Sequence, residues 1–273
     1  MKKIDFYKMS GSGNDFIIID NRDHVVEEKN LSHFISKVCR RKMSVGADGL
    51  ILIENAENVD FKWHFFNSDG SRAEMCGNGA RCAARFAYKN KIAGAEMSFE
   101  TDAGIISAQV KNDRVKVKMT DAKELKIDFT VELEKGPVTV NSVNTGVPHV
   151  AIPVDGIGDV EVVKLGREIR YHETFAPDGT NVNFYCPVKQ DKITMRTYER
   201  GVEDETLACG TGAVACALVH AYKAKKKSPI SVRTRSGGWL TIYFESKTDT
   251  FYNIYLEGDA RIIYQGEMSD EAV

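Results

Sequence analysis

Apolar residues recur along this chain in two periods. Leu31, Phe34, Ile35 and Val38 share one face of a helical turn pattern. The segments near 4–8, 16–20, 50–54 and 61–67 are instead short and rich in Val, Ile, Phe, Tyr and Thr, the residues that pleated, half-buried positions favour. Strands are expected there and near 97–102, 105–111 and 114–119, with a helix near 77–91 between the two groups. The second half repeats the order. Strands are expected near 138–143 and 149–153, a helix near 161–170, and strands near 182–188 and 192–199. A helix near 210–225 follows, then strands near 229–235, 239–244 and 252–256. Each half reads β-β-α-β-β-α-β-β-β. The polar stretch Thr120-Asp121-Ala122-Lys123-Glu124 separates them, so the expected halves are 1–122 and 123–260. A last strand, about Arg261 to Tyr264 within 261–273, is a candidate to return to the first half.

The repetition extends to single residues. Shifted by 133 positions, Gly13 meets Gly146 and Gly46 meets Gly179, each pair just before apolar runs. Cys76-Gly77-Asn78-Gly79-Ala80 meets Cys209-Gly210-Thr211-Gly212-Ala213, and Thr101 and Gly104 meet Thr234 and Gly237. Four matches in one register point to a duplication. The expected fold class is therefore α/β (α+β), with two pseudo-symmetric halves.

Composition narrows the function classes. With 273 residues, 42% hydrophobic and 28% charged, the chain can bury one large core or two ordinary ones. A net charge of −2 gives no reason to expect nucleic acid or an anionic membrane as partner. The run Lys223 to Lys227 reads as the solvated end of a helix. No apolar stretch is long enough to span a bilayer, and Met1-Lys2-Lys3-Ile4-Asp5-Phe6 turns charged too soon for a signal peptide. A cytoplasmic location is expected, where the six cysteines stay reduced. No C-x-x-C pair offers a zinc or thioredoxin-like motif. Cys39, Cys82, Cys186 and Cys216 read as packing residues.

Cys76 and Cys209 sit at one address, after a polar loop and at the start of a helix. A lone cysteine there is ordinarily a small buried residue, but the duplicated context argues otherwise. The first turn of a helix carries unpaired N–H groups and partial positive charge. It binds carboxylates and favours a thiolate, lowering a cysteine pKa from about 8.5. Two such halves facing each other would place a thiol on either side of one carbon. Stereoinversion next to a carboxylate needs that arrangement: one thiolate removes the α-proton while the opposite thiol supplies another.

Polar residues gather at expected strand ends in Gly11-Ser12-Gly13-Asn14-Asp15-Phe16, Asn67-Ser68-Asp69-Gly70, Gly179-Thr180-Asn181-Val182-Asn183 and Tyr198-Glu199-Arg200-Gly201. An arginine fork binds carboxylates bidentately, and asparagine both donates and accepts. Taken alone, Asn-Ser-Asp-Gly is equally a turn. Together, G-S-G-N-D-F, F-N-S-D-G, E-M-C-G-N-G-A-R-C, Y-E-R-G and A-C-G-T-G-A resemble, in order and over nearly the whole chain, the signature of the diaminopimelate epimerase family. The resemblance implies two similar halves, each a mixed sheet wrapped around a central helix. It implies inversion of L,L-diaminopimelate to the meso form without a cofactor or metal, in lysine and cell-wall synthesis, by a homodimer. Carried over by motif, Cys76 and Cys209 are the acid/base pair. Gly77, Asn78, Gly210 and Thr211 bind the reacting end, and Asn14, Asn67, Asn181, Glu199 and Arg200 contact substrate amino and carboxylate groups. Glu199 and His149, in G-V-P-H, tune the thiols; by sequence alone His149 is equally a core residue. Two positions depart from the family pattern: Val147, where many members have Asn, and Gly49, where some have Gln.

Two other readings compete. A proline or hydroxyproline racemase-type enzyme shares the two-thiol logic but needs no reader of a distal amino and carboxylate group. A thiol redox protein would leave the glycine-flanked helix starts unexplained.

Overall fold

Strands alternate the faces of their side chains, and in central strands such as Asn14–Asp20 and Gly49–Glu54 both faces are buried. The computed structural model describes residues 3–26 and 29–272; the start at Met1-Lys2 and the final Val273 of the expected C-terminal segment lie outside the described residues. The chain divides into two units, Met1–Val117 with Gly258–Val273, and Lys118–Glu257.

The first unit contains β1 (Ile4–Gly11), β2 (Asn14–Asp20), α1 (Leu31–Val38), β3 (Gly49–Glu54), β4 (Phe61–Asn67) and β5 (Arg72–Ala73). It continues with α2 (Gly77–Lys89), β6 (Glu96–Thr101), β7 (Gly104–Lys111) and β8 (Arg114–Lys118), and is joined by the chain's last strand, β18 (Arg261–Met268). Its pairing runs β18, β1, β2, β3, β4, β6, β7, β8, antiparallel except for the parallel contacts β2–β3 and β4–β6. Ile17, Ile19, Leu50 and Leu52 pack with Ile35 and Val38 of α1. The alternate residues Phe16, Ile18, Ile51 and Ile53 are equally buried and turn the other way. There Ile51 Cδ1 lies 3.3 Å from where a Cβ would stand on Gly79 of α2. Burying each such Ile or Phe contributes roughly 1.5–3 kcal/mol.

The second unit contains β9 (Lys123–Leu133), β10 (Gly136–Asn144), β11 (Pro148–Pro153), α3 (Val162–Arg170), β12 (Asn181–Lys189), β13 (Lys192–Glu199) and β14 (Asp204–Thr206). Then come α4 (Gly210–Ala224), β15 (Ile230–Arg233), β16 (Trp239–Lys247) and β17 (Thr250–Asp259). Its pairing runs β9, β10, β11, β12, β13, β15, β16, β17, again antiparallel except for two parallel contacts, β11–β12 and β13–β15. The two topologies are the same. Val150, Ile152, Val182 and Phe184 pack with Val162 and Ile169 of α3. On the other side α4 is buried at every position from Gly212 to Ala221 and touches β10 to β13, β15 and β16, as a helix apolar all round must be. Each unit is thus a mixed sheet wrapped around a central helix.

The matched glycines share conformations as well as positions. Gly13 and Gly146 have φ of 102° and 110°, Gly46 and Gly179 72° and 66°, and Gly104 and Gly237 110° and 84°. These are left-handed values that glycine adopts without a steric penalty.

Five differences from the sequence reading stand out. The polar stretch 120–124 runs directly into β9, an eleven-residue strand that was not expected. The short strands β5 and β14 and a 3-10 turn at Glu173–Phe175 are also additional. Cys186 is half-buried rather than a core residue, its thiol donating to the Asp155 carbonyl at 3.3 Å. Cys39, Cys82 and Cys216 are buried. Among the described residues, no helix is long and apolar enough to cross a membrane.

Candidate active site

Both singled-out cysteines are helix N-caps. Cys76 precedes α2 with φ −145° and ψ 113°, and its sulfur accepts from the Gly79 amide at 3.4 Å. Cys209 precedes α4 with φ −119° and ψ 115°, and its sulfur accepts from the Gly212 amide at 3.4 Å. In both units a sulfur takes the place that a Ser, Asp or Asn oxygen usually fills. The helix terminus and the donated N–H favour negative charge on that sulfur. Cys82 and Cys216, inside the same helices, behave oppositely: burial pushes Cys82 up to about 12 and raises Cys216 well above the ordinary thiol value.

Around Cys76 the polar side chains form one chain of hydrogen bonds. Asn78 Nδ2 donates to Asn14 Oδ1 at 2.5 Å, and Asn14 Nδ2 donates to Asp48 Oδ2 at 3.1 Å. Asp48 is held by Arg41 at 2.8 Å, which also pairs with Asp15. Behind Asn78 stands Arg81, completely buried. Its guanidinium donates to Gly77 O, Asn78 Oδ1, Ser12 Oγ and Asp259 O at 3.2, 2.9, 2.8 and 3.3 Å. Asn67 is exposed at the end of β4 and reaches Ser71 Oγ at 3.0 Å. Gly49 pairs opposite Asn67; a Cβ there would lie 2.5 Å from Phe66 O, so a side chain at that position would require the β4 backbone to shift.

Around Cys209 the residues are tied mainly to backbone. Thr211 Oγ1 is 3.5 Å from the Cys209 sulfur, and Thr145 Oγ1 donates to Thr211 O at 3.0 Å. Asn181 accepts from the Arg200 amide at 2.9 Å and donates to Pro148 O at 3.1 Å, joining β12, β11 and the Arg200 turn. Arg200 itself donates from one guanidinium nitrogen to Asp178 O at 3.2 Å. Val147, half-buried, accepts from the Thr145 amide within the turn between β10 and β11. Burial raises the Glu199 carboxyl above its ordinary value; the Thr206 hydroxyl opposes the shift but makes no hydrogen bond of normal geometry. His149 is buried, and burial followed by the Arg200 charge pushes it down to about 3, so its ring is neutral at physiological pH.

Comparison with known proteins gives this geometry a context. The sequence profile of diaminopimelate epimerase matches residues 6–125 and 141–263. A diaminopimelate epimerase of Aquifex aeolicus is 50% identical over 99% of this chain and 99% of its own. That of Archaeoglobus fulgidus is 43% identical over 97% of this chain and 96% of its own.

The chain belongs to the diaminopimelate epimerase family.

It is therefore an isomerase, and Cys76 and Cys209 lie on the motifs that carry the family resemblance. Solved structures extend the likeness at the level of fold. A Bacillus anthracis phenazine biosynthesis protein of the PhzF family superposes with TM-score 0.74 at 17% identity, covering 98% of this chain and 100% of that one. A hydroxyproline epimerase from Agrobacterium vitis gives TM-score 0.68 at 15% identity, covering 99% and 93%. At those identities the likeness concerns architecture alone. Sequence reasoning about this epimerase missed Arg81, Asp48, Asn183 and Thr145 as parts of the polar framework. Arg81 and Asn183 stand inside the motifs E-M-C-G-N-G-A-R-C and Gly179-Thr180-Asn181-Val182-Asn183 with no sign there of burial, and an isolated Thr carries none either.

Proposed function

We propose that this epimerase converts L,L-diaminopimelate to meso-diaminopimelate with Cys76 and Cys209 as its two proton carriers. The observation behind the reading is the repeated N-cap geometry, two sulfurs each at 3.4 Å from the third amide of a glycine-rich helix start. One sulfur, as thiolate, takes the α-proton; the other, as thiol, gives its proton to the opposite face. Product leaves with the two protonation states exchanged, and no electron changes hands. The N–H groups of Gly77, Asn78, Gly210 and Thr211 hold the α-carboxylate and the charge that builds beside it. Donors of that kind are worth roughly 2.7–4 kcal/mol each at other active sites. Since paired thiols and helix termini supply both proton transfer and charge stabilisation, the reaction proceeds without a cofactor.

In the same reading Asn14, Asn67, Asn181, Glu199 and Arg200 hold the substrate's amino and carboxylate groups, and His149 and Glu199 tune the thiols. The step serves lysine and cell-wall precursor synthesis. A cytoplasmic location goes with it, as does the homodimer that the family resemblance implies. Incubation with L,L-diaminopimelate in heavy water tests the proposal. Deuterium should enter the α-carbon with wild type, and neither Cys76→Ala nor Cys209→Ala should epimerise, because each face needs its own proton carrier. Substantial turnover by both single variants, or deuterium in proline and not in diaminopimelate, would overturn it.

A further inference from the structure

Asn183 lies on β12 two residues beyond Asn181 and is completely buried. Its orientation is fixed by its neighbours. The Val150 carbonyl can only accept, so at 2.8 Å it identifies the amide nitrogen of Asn183. On the other side Thr197 Oγ1 donates to Asn183 Oδ1 at 2.8 Å. The amide nitrogen has two hydrogens. One goes to Val150 O, and the other faces His149 Nδ1 at 3.1 Å. A ring nitrogen that receives a hydrogen bond carries no proton, so the proton of the neutral ring must sit on Nε2.

We propose that Asn183 is a positioning residue that locks His149 in the Nε2–H tautomer, making the imidazole a neutral hydrogen-bond donor to an anion in the site and not a base. Three observations support this. His149 Nε2 is buried and has no hydrogen-bond partner among the described residues, so a donor stands ready without an acceptor. Burial and the nearby Arg200 charge hold the ring neutral, which removes the imidazolium as an alternative. Asn183 also touches the start of the Cys209 helix: a Cβ on Gly212 would lie 2.3 Å from Asn183 Oδ1. One side chain therefore sets both the tautomer of His149 and the seat of α4. The inference deepens the two-thiol reading and rests on it only for the anion that Nε2–H meets, a thiolate or a substrate carboxylate.

The tautomer is directly measurable. In the full-length protein labelled with 15N-histidine, long-range proton–nitrogen correlation separates a protonated from an unprotonated ring nitrogen. The His149 signals are identified by their loss in His149→Gln. Wild type should show Nε2 protonated and Nδ1 unprotonated, unchanged from pH 8 to pH 5. Asn183→Asp presents an acceptor to Nδ1 and should switch the proton to that nitrogen. Epimerisation should then fall by up to about 10⁴-fold, the loss that a wrong histidine tautomer causes in a serine protease. If Asn183→Asp does not fold, Asn183→Ser, which fixes neither nitrogen, should show both tautomers and at least a tenfold loss. A wild-type ring protonated on Nδ1, or titrating near 6.5, would overturn the proposal, as would a switched tautomer with full activity. Because the spectrum needs no substrate, it tests the lock even if the two-thiol reading fails.

Discussion

Gly77 and Gly212 both lie in the first turn of a glycine-rich helix, yet an added methyl group would meet very different surroundings. On Gly212 it would collide with Asn183 Oδ1, whereas on Gly77 it meets nothing within 4 Å. Overpacking of a tight core site costs about 1–3 kcal/mol. Gly212→Ala should lower unfolding stability by that amount in urea titrations. Gly77→Ala should leave stability unchanged or raise it by up to about 1 kcal/mol, alanine being the better helix former. If the open space beside Gly77 receives the substrate carboxylate, the same variant should lose epimerisation at least tenfold. Full activity would remove Gly77 from the site. The two cysteines were legible in the sequence because their spacing, glycines and 133-residue register repeat. Asn183 and Arg81 were not, because a polar residue in a strand or helix pattern reads as solvent-facing until its neighbours are known.

At the scale of elements, β9 shows where the reading fell short. Its residues alternate strictly, with Leu125, Ile127, Phe129, Val131 and Leu133 separated by Lys126, Asp128, Thr130 and Glu132. That is a half-buried strand, but its charged beginning resembles a linker. Charge suits it, since among the described residues of its unit β9 pairs with β10 alone and such strands carry charge on their outer side. Its counterpart in topology is β18, paired with β1. Two arginines one turn apart on α2 hold the approach to β18: Arg81 donates to Asp259 O at 3.3 Å and Arg85 donates to Ala260 O. Arg81→Met would strip four acceptors of their donor. A hydrogen bond to a charged group contributes about 1.5–3 kcal/mol, offset by the relief of burying charge, so the net loss should be about 1–3 kcal/mol. Hydrogen exchange should quicken along residues 261–268 and stay unchanged along 123–133. Equal protection of 261–268 in variant and wild type would refute the clasp.

For the whole molecule, duplication dictates the architecture, because two halves with one pattern must solve one packing problem twice. It did not make the halves electrostatically equal, and acid should expose the difference. His149 belongs to the second unit, and its folded pKa of about 3 lies below the ordinary 6.5. A depressed folded pKa gives stability that is present above the unfolded value and lost as pH falls toward the folded one. The His149 contribution is therefore lost between pH 6.5 and 3, at up to about 1.4 kcal/mol per pH unit for one proton. Glu199 works in the opposite sense: its folded pKa is raised above 4.5, so its contribution is present below that value and disappears as pH rises. Asp15 belongs to the first unit. Burial raises its pKa, but Arg41 and Lys8 outweigh that and bring it to about 2, so its contribution is lost only from pH 3.8 downward. His149→Gln should thus flatten urea-midpoint curves between pH 6.5 and 5, where Asp15→Asn should change nothing. Asp15→Asn should flatten them below pH 4. Parallel curves for wild type and His149→Gln above pH 5 would show that His149 is not the buried neutral group that this structure makes it.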